Sequence, residues 1–89
     1  MKVKIDKSFN KDTDKISDKK LLLKIAHAIE SVIAVNSLND IKNIKKLKGN
    51  SQYYRIKIGD YRLGFLLIDE VIIFERCLHR KDIYKYFPK

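Results

Sequence analysis

The second half of the chain alternates apolar and polar side chains with the period of two that is typical of β-strands. In residues 53–58 the even positions are tyrosine and isoleucine, while two of the odd positions are Arg55 and Lys57. This pattern predicts a strand with one buried face and one solvent-facing, cationic face. Gly59-Asp60 follows where a short hairpin turn would lie, because glycine reaches positive φ without steric cost. Residues 53–58 are therefore expected to begin a β-hairpin.

Two nearly continuous apolar segments follow at residues 61–68 and 71–78, joined by the tight Asp69-Glu70 connection. Strands of that composition are usually covered on both faces or lie centrally in a sheet. Arg62, Glu75 and Arg76 interrupt the apolar pattern. We expect Arg62, which follows the turn directly, to share the cationic face of the preceding strand. Gly64 has no side chain, so the sheet beside Arg62 is expected to leave room for a ligand to approach the backbone.

The first half of the chain predicts one strand and two helices. Alternation in residues 1–7 fits a short edge strand, and Ser8 is a candidate cap for a brief helix. Ser17 and Asp18 form a second helix start, after which apolar residues recur at the three-and-four spacing of an amphipathic helix. The residues of this apolar stripe are Leu22, Ile25, Ala26, Ile29, Val32 and Ile33. The stripe is expected to cover one face of the sheet.

Residues 36–50 show the weakest pattern. Ile41, Ile44 and Leu47 keep a helical spacing, which predicts a short helix or an irregular loop before Gly49-Asn50. Four lysines lie in this segment: Lys42, Lys45, Lys46 and Lys48. They could steer RNA toward the protein, or they could form a solvated face without a specific partner.

The predicted order of elements is β-α-α-β-β-β with a short C-terminal helix, in a single α+β domain over residues 1–89. Two N-terminal helices are expected to pack on one face of an antiparallel sheet. The opposite face of the sheet is then free to bind a partner.

Composition narrows the choice of partner and compartment. The formal net charge of +9, from 20 Lys and Arg against 11 Asp and Glu, indicates a polyanion or an acidic protein as partner. The single cysteine, Cys77, lies in an apolar strand pattern, so we expect a small buried hydrophobe and neither a disulfide framework nor a metal-ligand cluster. No signal-peptide pattern and no apolar segment of membrane-spanning length is present, so we expect a cytoplasmic protein with no membrane partner.

Three motifs occur in a fixed order along the second half: Lys46-Leu47-Lys48-Gly49, then YRIKIGDYRL at 54–63, then HRKDIY at 79–84. In this order and spacing they resemble the RelE/ParE superfamily of bacterial type II toxins, and within it the RelE-like ribosome-dependent mRNA endonucleases. The resemblance implies a RelE-like microbial RNase fold and cleavage of mRNA in the ribosomal A site. It also implies a cognate antitoxin, with operator DNA contacted only through that antitoxin.

The resemblance also carries the candidate site residues. The expected catalytic residues are Lys57, Arg62, Tyr84, Arg80 and His79, of which His79 and Arg80 compete for one family position. The expected RNA-binding residues are Arg55, Lys57, Arg62, Lys46, Lys48 and Lys81. Arg55 stands where the family often has lysine, and because a guanidinium does not deprotonate, any role as a base must fall to another residue. No metal and no cofactor is expected.

The chemistry of such a basic cluster can be argued from the reaction. When a 2′-hydroxyl attacks the adjacent phosphate, negative charge builds up on the nonbridging oxygens, and the departing 5′-oxygen must receive a proton. Cations around the phosphate stabilise the charge on the nonbridging oxygens. Arg62 and Arg55 suit a phosphate clamp. Proton transfer stays open between Lys57, His79 and Tyr84, the last of which could instead stack on a splayed base. The expected product carries a 2′,3′-cyclic phosphate or 3′-phosphate and a 5′-hydroxyl.

Other interpretations remain open at the level of sequence. Arg55 and Lys57 could be ordinary solvent-facing strand residues, and Tyr84 could pack the C-terminal segment as Phe87 is expected to do. A ParE-like toxin would share the fold and inhibit DNA gyrase by binding. A degenerate toxin would only bind its antitoxin.

Overall fold

The computed structural model describes residues 1–49 and 52–88. Helices and strands both occur, so the chain has an α+β fold as predicted. In chain order the elements are β1 (Lys2–Ile5), α1 (Lys7–Asp14), α2 (Lys19–Ala34), a 3₁₀ turn (Leu38–Asp40), β2 (Ile44–Lys46), β3 (Tyr53–Ile58), β4 (Tyr61–Ile68), β5 (Val71–His79) and α3 (Ile83–Tyr86). Asn50, the last residue of the weakly patterned segment 36–50, lies outside the described residues.

The five strands form one open sheet in the order β1-β5-β4-β3-β2. The β3–β4 and β4–β5 pairs are antiparallel, as predicted, and the additional strand β2 also pairs antiparallel with β3. β1 runs parallel to β5, so the sheet is not antiparallel throughout, as had been expected. A parallel pair is possible here because β1 and β5 are not joined by a hairpin: both helices and three strands lie between them along the chain. β1 and β2 are therefore the two edge strands.

The prediction for residues 36–50 was wrong in one respect, because Ile44–Lys46 is a strand instead of part of a helix or loop. Ile44 lies opposite Ile56 of β3 and packs against the main core. Leu47 is buried in a separate cluster on the other side of the sheet. Ile44 and Leu47 are three positions apart and are buried on opposite faces of the sheet, so their spacing resembles that of a helix although no helix is present.

The main core lies between the helices and one face of the sheet. Phe9 of α1 packs on Phe74 with ring centroids 5.5 Å apart, and Phe74 packs on Phe65 at 5.6 Å. The β4–β5 pairing shifts register at Gly64/Phe65, so that Phe74 and Cys77 both reach the core despite their odd spacing. Cys77 is thus the buried small hydrophobe that was predicted.

Helix α2 begins where Asp18 was predicted to start it, since the Asp18 carboxylate accepts hydrogen bonds from the backbone N–H groups of Lys20 and Leu21. Its buried stripe is rotated relative to the prediction. Ile33 is 53% exposed and Ala26 is also exposed, while Leu21 and Ala28, which lie outside the predicted stripe, pack against the main core. No helix in residues 1–49 and 52–88 has the length and apolar character needed to cross a membrane.

Helix α1 is held to β5 by a buried ion pair that the sequence did not reveal. The Asp12 carboxylate accepts hydrogen bonds from Arg76 Nε at 2.8 Å and Nη2 at 3.1 Å, and from the backbone N–H of Cys77 at 2.9 Å. This bonding to Asp12 raises the pKa of Arg76. The contact satisfies the carboxylate of Asp12, which is the one buried charged side chain among the described residues.

The sheet face opposite the helices is partly covered, so the prediction of a free face was wrong. Ile83 and Phe87 of the C-terminal segment pack there with Leu47. A Cβ built on Gly64 would lie 2.6 Å from the Phe87 ring, so this ring fills the space that was expected beside Arg62. Packing of Phe87 itself is confirmed.

Candidate active site on the partly covered sheet face

Strand pairing gathers four basic residues on the sheet face away from the main core. Lys57 of β3 lies opposite Arg62 of β4, and Arg55 lies opposite Lys45 of β2. Their strand neighbour Ile56 faces the core, so alternation turns these four side chains to the other side. We call Lys45, Arg55, Lys57 and Arg62 the basic face. Like charges directly opposite each other destabilise a sheet, so this arrangement is a cost that binding of an anion would offset.

The guanidinium of Arg62 is held by the turn that precedes it. Arg62 Nη1 donates to the backbone carbonyls of Gly59 at 2.9 Å and Tyr61 at 3.0 Å. Gly59 has φ of 55°, the left-handed conformation that glycine tolerates. Because a guanidinium carries five N–H donors, the two bonds through one nitrogen fix its position and leave other donors for a ligand.

Arg55 and Lys57 are both tied to Asn43, the residue before β2. The Asn43 carbonyl accepts a hydrogen bond from Arg55 Nη1 at 3.0 Å and another from the backbone N–H of Lys57 at 3.1 Å. Asn43 has φ of 62°, which asparagine adopts more readily than most residues. Arg55 Nε is buried and has no hydrogen-bond partner among the described residues. An unpaired buried donor is unusual in a purely structural arginine.

Arg80 lies at the same end of the sheet as Arg62. Its backbone N–H donates to the carbonyl of Asp60 at 2.7 Å, and its Nε lies 3.7 Å from the Asp60 carboxylate. The Arg80 side chain is 60% exposed, so this ion pair leaves it accessible. Lys81, a predicted RNA-binding residue, is exposed beside it. Arg62 and Arg80 therefore both contact the β3–β4 turn.

His79 is not brought to the Lys57–Arg62 pair. In β5 it is Leu78 that lies opposite Arg62, while His79 lies opposite Tyr61 and therefore on the other side of the sheet. The His79 ring meets the Tyr61 ring edge-on with centroids 5.6 Å apart. His79 Nδ1 accepts a hydrogen bond from the backbone N–H of Lys81 at 3.1 Å. Both contacts are typical of a structural histidine.

Tyr84 of α3 is 59% exposed and lines a groove beside β2. The groove has a volume of about 430 Å³ and is lined by Lys45, Lys46, Leu47, Lys48, Tyr84, Phe87 and Pro88. The predicted RNA-binding residues Lys46 and Lys48 thus lie with Tyr84 and apart from the Lys57–Arg62 pair. Lys45 connects the two groups, because it lines this groove and also lies opposite Arg55.

Sequence reasoning missed Lys45 as a site residue. Its position on the basic face follows from β2 pairing with β3, and the helical spacing around residue 44 concealed that strand. If residues 44–46 had been predicted as a strand, alternation would have placed Lys45 on the face opposite to Ile44, which is the basic face.

The surroundings of Cys77 make its thiol a poor candidate for the reaction. Burial, together with the nearby charge of Asp12, raises the pKa of Cys77 to about 12, so its thiol stays protonated at neutral pH and is a poor nucleophile. In the part of the chain that the structure describes, no group of three or more His, Cys, Asp or Glu side chains is arranged to hold a metal ion.

Comparison with known proteins identifies the family of the chain. The family model for the ParE toxin of type II toxin–antitoxin systems, parDE, matches residues 3–84. The chain belongs to the RelE/ParE superfamily of type II toxins. The resemblance inferred from the sequence motifs is thereby confirmed, and it extends over nearly all of the chain.

Individual relatives of this toxin lie on the RelE side of the superfamily. Toxin RelE3 of Methanocaldococcus jannaschii is 47% identical over 89 residues, which is 99% of this chain and 100% of that protein. The toxin fold of a RelB–RelE antitoxin–toxin complex from Methanococcus jannaschii matches with a TM-score of 0.80 and 43% identity, covering 96% of this chain and 99% of that chain. The chain is thus a type II toxin of the RelE family.

A more distant structure shows how widely the fold is shared. The YoeB dimer from Staphylococcus aureus matches with a TM-score of 0.71 at 24% identity, covering 89% of this chain and 95% of that chain. At this level of identity the similarity establishes the fold alone. The predicted RelE-like fold, with two N-terminal helices beside the sheet, is confirmed by the match to the RelB–RelE complex.

Proposed function

We propose that this toxin is a ribosome-dependent mRNA endonuclease that cleaves by attack of a 2′-hydroxyl on the adjacent phosphate. The observation that carries the proposal is the cross-strand pair of Lys57 and Arg62, with Arg55 one pair further along the same face. Several cations on one accessible face can surround a single phosphate. In phosphoryl transfer, such positioning and charge stabilisation supply most of the catalysis.

Arg62 and Arg55 have the role of a phosphate clamp in this proposal. The planar guanidinium can donate to two nonbridging oxygens at once, and these bonds strengthen as negative charge builds up in the transition state. Arg62 is already fixed by its bonds to the Gly59 and Tyr61 carbonyls, so little of its freedom is lost on binding. Arg80 adds positive charge at the same turn.

Lys57 has the role of the proton-transfer residue. Of the Lys57–Arg62 pair only the amine can exchange a proton, because a guanidinium stays protonated. Lys57 is exposed and can reach a 2′-hydroxyl next to the clamped phosphate. His79 has no part in this step, since it belongs to the other side of the sheet. The reaction leaves a 2′,3′-cyclic phosphate or 3′-phosphate and a 5′-hydroxyl, and it invokes no metal.

Tyr84 has the role of a stacking platform for a base next to the cleaved bond. An exposed ring in a groove with Lys46 and Lys48 offers both a π-face and charges for the RNA backbone. Lys45 and Lys81 extend the positive surface on either side. RNA bound along this surface would be held more weakly as salt concentration rises.

The proposed partners are mRNA in the ribosomal A site and a cognate antitoxin. The relatives with known structures include RelB–RelE antitoxin–toxin complexes, and a net charge of +9 favours an acidic partner. Any contact with operator DNA is assigned to the antitoxin and not to this chain. Because the target is the ribosome, the proposed location is the cytoplasm.

A second candidate function is inhibition of DNA gyrase by binding. It is favoured by the description of the matching family model, which is that of a ParE toxin. Two assays run in parallel separate the candidates: translation of a reporter mRNA in a cell-free reaction, and supercoiling of relaxed plasmid by gyrase. Loss of translation with normal supercoiling supports the nuclease. Loss of supercoiling with normal translation supports the gyrase inhibitor, and no effect in either assay points to a toxin that only binds its antitoxin.

A further inference from the structure

Asn43, the exposed residue before β2, has positive φ, which is uncommon for residues other than glycine. Of the described residues other than glycine, those with positive φ are Asn43 at 62°, Asp69 at 50° and Glu70 at 64°. Asp69 and Glu70 form the two-residue connection between β4 and β5, where the common hairpin turn requires positive φ at both positions. Asn43 instead lies between the 3₁₀ turn and β2, so its conformation needs a separate explanation.

Asn43 interacts with the site through its backbone. Its carbonyl accepts hydrogen bonds from Arg55 Nη1 at 3.0 Å and from the backbone N–H of Lys57 at 3.1 Å. Its side chain is exposed and takes part in no hydrogen bond or ion pair with the described part of the chain. Because the direction of a carbonyl is set by the backbone dihedrals, the conformation of Asn43 determines where the Arg55 guanidinium is held.

The bond to Asn43 holds Arg55 without neutralising its charge. A backbone carbonyl is an uncharged acceptor, and Arg62 is held in the same way by two carbonyls of the preceding turn. Arg76, by contrast, donates to the carboxylate of Asp12, and the two charges compensate each other. An arginine that is fixed by carbonyls keeps its charge for an anionic ligand.

We propose that Asn43 is a positioning residue for RNA cleavage, because its left-handed backbone holds the Arg55 guanidinium in place for the phosphate. The inference rests on the proposed function, in which Arg55 is part of the phosphate clamp. Arg55 Nε is buried without a partner, so the bond from Nη1 to Asn43 is the one hydrogen bond that fixes this guanidinium within the described residues. A clamp that is fixed beforehand loses less conformational freedom when it binds the phosphate.

Substitutions that change the preference for positive φ test this role. Asn43→Val disfavours positive φ strongly, while Asn43→Gly keeps it accessible. Asn43→Ala disfavours it less strongly and replaces the valine variant if that variant does not fold. Asp69→Val and Asp69→Gly are the matched controls, because Asp69 has a φ of 50° at the far end of β4 from Arg62. Urea unfolding of each variant measures the effect of backbone strain on stability alone.

The first measurement observes Arg55 directly and does not depend on cleavage. Exchange of its Nε–H proton with water is followed by NMR in isotopically labelled protein, with Arg55→Lys to assign the signal. Burial of Nε predicts slow exchange in the wild type. We expect Asn43→Val to speed the exchange by about tenfold or more, since the guanidinium is released, and Asn43→Gly and Asp69→Val to stay within about twofold. Wild-type exchange in Asn43→Val would overturn the inference.

The second measurement is the rate of mRNA cleavage in the reaction with ribosomes. We expect a loss of about tenfold or more in Asn43→Val, a smaller loss in Asn43→Ala, and wild-type rates in Asn43→Gly and Asp69→Val. Equal losses in Asn43→Val and Asp69→Val, or no recovery in Asn43→Gly, would overturn the inference. Absence of cleavage by the wild type would reject the nuclease, while the exchange rates would still decide whether Asn43 holds Arg55.

Discussion

Lys57 and Arg62 lie directly opposite each other across the β3–β4 hairpin, on the sheet face away from the main core. Two cations in this relationship repel each other, and neither has a carboxylate partner among the described ion pairs. The sheet therefore keeps a locally unfavourable pair at the place where the proposed reaction needs charge. Such a conflict between stability and charge placement is expected at functional sites.

The first prediction is that Lys57→Thr stabilises the fold while it abolishes cleavage. Removing one of two opposed cations and adding a β-branched residue on a strand should raise the free energy of unfolding by about 0.3–1 kcal/mol. Urea unfolding measures this change. Lys4→Thr on β1 is the matched control, since Lys4 lies opposite Ile73 and relieves no repulsion. A destabilised Lys57→Thr beside an unchanged Lys4→Thr would contradict the assignment.

The second prediction concerns the buried ion pair between α1 and β5. Arg76→Ala leaves the Asp12 carboxylate buried without its guanidinium, which should lower the free energy of unfolding by about 2–4 kcal/mol. Arg80→Ala removes an exposed pair with Asp60 and should cost less than about 1 kcal/mol. Urea unfolding of both variants checks the difference. Equal losses would mean that Asp12 does not depend on Arg76.

The third prediction is that Gly64 is required for the C-terminal segment to dock. In Gly64→Ala the new methyl group would lie 2.6 Å from the buried Phe87 ring, so the ring must move, at a cost of about 1–3 kcal/mol. Phe87→Leu removes the ring, so in that background the added methyl group should be tolerated far better. A double-mutant cycle measured by urea unfolding gives the coupling between the two positions. Additive effects would show that the contact is not the cause.

The fourth prediction is a loss of stability at alkaline pH that comes from Cys77. Its pKa is raised from an ordinary value of 9.0 to about 12 by burial and, less strongly, by the charge of Asp12. As pH rises from 9 toward 12, the unfolded thiol loses its proton while the folded thiol keeps it. The unfolded state then binds fewer protons, so the free energy of unfolding falls as pH increases.

Unfolding in urea between pH 8 and pH 11 follows this loss, with Cys77→Ala as the comparison. The variant is less stable at pH 8 because of its cavity, but its stability should fall less steeply above pH 9, where the unfolded thiol of the wild type begins to lose its proton. Parallel curves for the two proteins would show that the thiol does not contribute.

The hairpin that carries the Lys57–Arg62 pair was predictable because alternation and a glycine turn act over short distances. The same local logic found Asp18 at the start of α2. It failed for β2, because Ile44 and Leu47 are buried on opposite sides of the sheet and mimic a helical spacing. A strand of three residues carries too little alternation to reveal itself.

The remaining differences depend on contacts between distant parts of the chain. Filling of the space at Gly64 by Phe87, and pairing of Asp12 with Arg76, join residues more than twenty positions apart. Whether His79 reaches the Lys57–Arg62 pair depends on the face of β5 on which it lies, and the shift of register between β4 and β5 changes that face. Patterns along the sequence do not specify such contacts.

The most direct test of the proposed function is to map new 5′ ends on a reporter mRNA by primer extension in a cell-free translation reaction, with and without ribosomes. Lys57→Ala, Arg62→Ala and Tyr84→Ala are compared with Lys4→Ala, an exposed lysine on the opposite edge of the sheet. We predict ends that require ribosomes, persist in Lys4→Ala and fall by about a hundredfold or more in Lys57→Ala and Arg62→Ala. Intact mRNA beside a folded wild-type protein, or cleavage that survives both substitutions, would contradict the account.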